Sequence, residues 1–100
     1  VQIAYTMSPA PGDTDEVLAR LAARLAKRGL RTCGVVQINT AREDCQHPCD
    51  MDVKVLPDGP VIRISQSLGR EAKGCRLDPE ALEGAVAEVI KRLAEGVDVF

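Results

Sequence analysis

The sequence predicts an α/β domain with helices on both faces of a sheet, a three-layer sandwich carrying an antiparallel hairpin insert. Three observations point there. The chain opens with a strand, helix, strand succession. Two short alternating runs flank a Pro57-Asp58-Gly59 turn. A long amphipathic stretch then begins at Asp78. One hundred residues with 45% apolar content make one domain, 1–100, with material for a single modest core. Tyr5 and Phe100 are its aromatics, so that core must be built from Val, Leu, Ile and Ala.

Taken in order, "VQIAYTM" (Val1–Met7) reads as a buried strand. Ser8–Asp13 follows as a Pro/Gly loop that no regular element tolerates throughout. A helix comes next, with Thr14 or Asp15 as the expected N-cap. Val17, Leu18, Leu21 and Leu25 form its apolar stripe, and Lys27-Arg28-Gly29 gives a basic last turn closed by a C′ glycine. "RTCGVVQI" (Arg31–Ile38) is β-branched and reads as a second strand. A β-α-β unit of this kind places the loops after its strands on one sheet edge, where open α/β sheets bind ligands. Ser8–Asp15 and Asn39–Asp50 are those loops.

"MDVKVLPDGPVIRISQ" then has hairpin chemistry, with Gly59 available for positive φ. Gly69–Gly74 is a polar loop. Asp78 is the expected N-cap and Pro79 the N1 residue of a second helix, whose stripe is Leu82, Val86, Val89, Ile90 and Leu93 and which Gly96 closes. "VDVF" reads as the opening of a further strand, so the domain is expected to be incomplete after Phe100 and to self-associate through the unpaired edge.

Composition excludes several functions. A net charge of −2 and a near absence of aromatics argue against nucleic acid as a partner. No run approaches the roughly 20 apolar residues of a bilayer span, and no basic n-region marks a signal peptide, which predicts a cytoplasmic protein.

Three segments carry candidate chemistry. The first is Tyr5–Val17, placed where a phosphate loop would lie. Against G-x-x-x-x-G-K-[ST], Gly12 and Thr14 match the second glycine and the hydroxyl. Asp13 takes the place of the lysine, and Met7 that of the first glycine. Backbone N–H groups at the helix start favour an anion, whereas Asp13, Asp15 and Glu16 repel a triphosphate. A capped, self-satisfied turn is the plainer reading.

The second segment is Cys45-Gln46-His47-Pro48-Cys49, with Cys75 elsewhere in the chain. Thiolate and imidazole ligate zinc, copper and iron–sulfur clusters, but C-x-H-x-C lacks paired C-x₂-C knuckles. A structural or disulfide role and redox chemistry stay open beside it. Arg76 could activate Cys75, and Cys33 reads as a small buried hydrophobe. The third segment is Ser67–Arg76, where Arg70, Lys73 and Arg76 accompany two glycines. Such a loop could clamp molybdate or phosphate, or it could be a solvated surface run.

The succession of "GVVQ", "CDMD" (Cys49–Asp52), the Pro-Asp-Gly hairpin, "ISQSLGREAKGCRLDPEAL" and "GVDVF" resembles a bacterial family whose members bear a domain of unknown function. That family is similar in layout to P-loop nucleoside triphosphatases, and its genes tend to lie near molybdenum-transport genes. The resemblance covers essentially the whole chain, with Cys49–Asp52 and Gly74–Pro79 its more specific parts. It implies a P-loop-NTPase-like (Rossmann-like) fold in which the chain would continue past Phe100 into a strand ending in an asparagine-containing loop. Because Asp13 departs from the lysine that the related enzymes need, likeness of fold does not carry activity with it.

The expected function is therefore a non-catalytic or weakly catalytic NTPase-like protein that binds an oxyanion or nucleotide, linked to molybdate metabolism. Molybdate, nucleotide with Mg²⁺, or a thiolate-bound metal are the candidate cofactors. One alternative is a low-activity nucleoside triphosphatase, with Arg70 or Lys73 in the lysine's role and Asp98 as a metal-binding carboxylate. The other is a metal or redox module on Cys45, His47, Cys49 and Cys75.

Overall fold

The computed structural model describes residues 2–10, 12–38, 51–66 and 76–100. The elements are α1 (Asp13–Lys27), β1 (Val35–Ile38), β2 (Asp52–Val55), β3 (Val61–Arg63), β4 (Ser65–Gln66), β5 (Arg76–Leu77) and α2 (Pro79–Leu93).

Both helices end where local chemistry ends them. α1 stops in a Schellman arrangement: Gly29, at φ 78°, donates to the Ala26 carbonyl, and Leu30 donates to that of Leu25. α2 starts as expected, with the Asp78 carboxylate accepting from the N–H groups of Glu80 and Ala81 and with Pro79 behind it. The α1 N-cap is not Thr14 or Asp15. It is Gly12, in the left-handed region at φ 85°, and both expected residues lie inside the first turn. A glycine enters that conformation without the Cβ clash that would penalise threonine or aspartate, so the helix starts two residues earlier.

β1, β2 and β3 form an antiparallel meander, with Val35 opposite Val55 and Asp52 opposite Arg63. The β2–β3 hairpin turns through Pro57-Asp58-Gly59, and the Gly59 N–H donates to the Val55 carbonyl at 2.8 Å. Gly59 does not use positive φ. It is needed for space, since an added Cβ would stand 2.8 Å from both Val55 Cβ and the Val55 carbonyl oxygen. Asp52, buried on β2, accepts from Nε and Nη2 of Arg63 at 3.0 and 3.4 Å, so the charge that burial would penalise is met across the strands. A short β4–β5 ladder brings the chain to α2.

The core lies between the meander and α2. Cys33, Val55 and Val89 form one cluster, and Val53, Ile64 and Ala85 the other, bridged by Ile62. The Cys33 thiol is buried and donates to the Val89 carbonyl at 3.6 Å, in keeping with a structural role.

The opening segment is corrected. Gln2–Met7 belongs to no strand, and Ile3, Tyr5 and Met7 are 91, 87 and 83% exposed. A buried strand needs a sheet neighbour. β1 spends one edge on β2, and the parallel contact near its start is a single bridge, Thr32 to Val99. The α/β class holds, but the main sheet of the described residues is antiparallel, and the parallel relation is confined to that bridge.

Candidate functional site

All of the phosphate-loop candidate Tyr5–Val17 except residue 11 lies among the described residues, and Gly12, Asp13 and Thr14 stand at the entry to α1. Gly12 turns the chain into α1 at the positive end of the helix dipole with no side-chain hydrogen bond capping it, and the Asp13 N–H donates back to the Ala10 carbonyl at 3.4 Å. Asp13 is the first helical residue and is exposed, and Thr14 follows half-buried. Of the neighbouring acids, Glu16 turns one helical turn onward to pair with Arg20. The site therefore combines a helix start that lacks a side-chain cap with acidic side chains, of which Glu16 is paired with Arg20. At the lysine position of a phosphate loop it offers a carboxylate instead of an ammonium.

The other candidates are only partly placed. Arg76 lies exposed on β5 opposite Gln66, just before Asp78. The Asp78 carboxylate already accepts from the first N–H groups of α2, so that helix start is self-satisfied rather than open. Arg70 and Lys73 lie outside the described residues, as do Cys45, His47, Cys49 and Cys75 and the Asn39–Asp50 loop. Among the described residues, no group of three His, Cys, Asp or Glu side chains is arranged to hold a metal ion.

Asp98, considered from sequence as a metal-binding carboxylate, is committed elsewhere. It accepts from the Arg31 backbone N–H at 2.8 Å and from Arg31 Nε and Nη2 at 3.3 and 3.1 Å. The Arg31 side-chain bonds first, then the backbone N–H, hold this carboxyl below its ordinary range. Sequence reasoning missed this clamp. The available signal was that opposite charges flank the two segments, Arg31-Thr32 and Asp98-Val99, that a β-α-β reading makes parallel neighbours.

Sequence reasoning also missed an apolar groove of about 570 Å³ between the helices, walled by Leu21 and Leu25 of α1 and by Val86 and Ile90 of α2. Thr32 and Phe100 also line it. The stripes of both helices were legible, but a three-layer sandwich sets its helices on opposite faces of a sheet and not across a groove from one another.

Residues 3–100 match the family model described as Protein of unknown function (DUF2478). The chain belongs to the DUF2478 family. It is also 36% identical over 89 residues to the molybdenum import ATP-binding protein ModC 2 of Bradyrhizobium diazoefficiens. That match covers 88% of this chain and 10% of the relative, so this DUF2478 chain spans about a tenth of that protein's length. No solved structure matches the chain closely enough to show a shared fold. No helix among the described residues is long and apolar enough to cross a membrane.

Proposed function

We propose that this DUF2478 chain is an NTPase-like, Rossmann-like binding module that holds an oxyanion or a nucleotide at the entry to α1 without turning it over, in the context of molybdate handling. The observation that carries the reading is the Gly12–Asp13 junction: a left-handed glycine opens the helix with no side chain capping it, and a carboxylate follows where a phosphate loop has its lysine. The first feature favours an anion. The second removes the ammonium that would bridge the terminal phosphates, and hydrolysis with it. The similarity to an ATP-binding protein of molybdenum import supports the ligand class.

Arg70, Lys73 and Arg76 supply the remaining positive charge in this proposal, with molybdate, phosphate or a nucleotide with Mg²⁺ as ligand. Native mass spectrometry with elemental analysis of protein purified without added ligand tests it. The reading predicts a substoichiometric phosphate, nucleotide or molybdenum species that Arg76→Ala diminishes. Absence of all three, together with no calorimetric binding of molybdate, phosphate or ATP at low ionic strength, would overturn it.

A further inference from the structure

Two apolar features among the described residues have no place in the proposed anion site, and they lie one short connection apart. The first is the groove, where the stripe of α1 is left half-exposed although α1 packs on β1: only Ala22 of the helix is buried, and Leu21 is 48% exposed. The second is the Gln2–Met7 arm, outside any helix or strand, with Ile3, Tyr5 and Met7 in solvent. Contiguous exposed apolar surface of this extent marks a place that something covers.

We propose that the Gln2–Met7 arm is a strap that closes over the groove of its own molecule. Period-two alternation puts Ile3, Tyr5 and Met7 on one face of an extended arm and Gln2, Ala4 and Thr6 on the other. The first face seats on Leu18, Leu21 and Leu25. Length agrees: six extended residues reach roughly 20 Å, and the fifteen residues of α1 run roughly 22 Å. Direction agrees as well. An arm leading into α1 through a tight connection runs back along that helix, as β1 does after the turn at Gly29, so it takes the direction of β1 and of the Val99 segment that bridges Thr32 in parallel. The hinge is Gly12, whose left-handed conformation sets the angle between arm and helix. Closure within the chain is favoured over capture by a second copy because the connection holds the arm at high effective concentration.

Tyr5 is the sole tyrosine and the chain has no tryptophan, so intrinsic fluorescence reports this residue alone. Acrylamide quenching of the wild-type chain, followed across a wide range of protein concentration with light scattering alongside, is the test. The proposal predicts Tyr5 shielded severalfold relative to free tyrosine amide, to the same degree at every concentration. It also predicts that Ile3→Asp, in the arm, and Leu21→Asp, in the groove, each restore free quenching while helical circular dichroism is kept. Tyr5 quenched like the free amide in the wild type would overturn the strap. Shielding that disappears on dilution in step with dissociation of a dimer would overturn closure within the chain and assign the groove to a second copy.

Discussion

Arg31 and Asp98, sixty-seven positions apart, are joined by three hydrogen bonds, one from the Arg31 backbone and two from its guanidinium. The pair closes the end of the fold where Val99 meets Thr32 in parallel, and the Asp98 and Val99 N–H groups both donate to the Arg31 carbonyl beside it. The clamp thus fixes the segment after α2 against the segment after α1.

Its pH dependence has a definite sign. Because Arg31 depresses the Asp98 pKa in the folded state, the contribution is fully present above the unfolded carboxyl value and is lost as pH falls through the folded one. Asp98→Asn should lower the melting temperature at neutral pH and flatten the loss of stability on the acid side. Both effects should shrink at high salt, since the pair is exposed. Thermal melts from pH 7 to pH 2 at low and high ionic strength check it.

Two glycines should respond differently to alanine. At Gly59 the new Cβ meets the Val55 backbone oxygen at 2.8 Å, which cannot swing away, so the hairpin must shift at a cost of about 1–3 kcal/mol. At Gly96 the neighbour is Arg31 Nη1 at 2.6 Å, the mobile end of a side chain, but φ is 97° and the new residue is strained whatever the space. Gly96→Ala should therefore also push Arg31 off Asp98. Part of its cost should vanish in an Asp98→Asn background, whereas the cost of Gly59→Ala should not. A double-mutant cycle by urea unfolding distinguishes the two.

Thr32 carries the opposite lesson. Its hydroxyl is buried with no hydrogen-bond partner among the described residues. Valine keeps the branched shape and removes the unmet polar atom. Thr32→Val should stabilise the fold by about 1 kcal/mol, read from chemical denaturation. A loss of stability would mean that the hydroxyl has a partner in solution.

What could be read from sequence was what is local. Asp78-Pro79 as a helix start, Gly29 as a helix end and Pro57-Asp58-Gly59 as a turn each act within a few residues, and all three stand where expected. Placing the hairpin also fixes a register in which Asp52 faces Arg63, a pair that sequence alone could have yielded. Val1–Met7 was misread because an apolar alternating run shows a capacity for strand pairing and not the partner, which is a property of the whole sheet. Arg31–Asp98 and the groove depend on the same non-local assembly. At the candidate site, Gly12 was legible as a match to the phosphate-loop pattern and Asp13 as a departure from it, but the N-cap role of Gly12 required its backbone angle.

Anion binding in the proposed function requires an entry to α1 that is shaped for an anion and weakened by Asp13. Calorimetric titration of the wild type, Asp13→Asn and Asp13→Lys with phosphate and with ATP and Mg²⁺ measures this directly. A new charge-assisted contact is worth about 1.5–3 kcal/mol, or about one to two powers of ten in affinity. The predicted result is a rising series: weak binding in the wild type, stronger in Asp13→Asn as the repulsion goes, and at least about tenfold tighter than wild type in Asp13→Lys. Equal affinities in all three proteins, with circular dichroism unchanged, would contradict it.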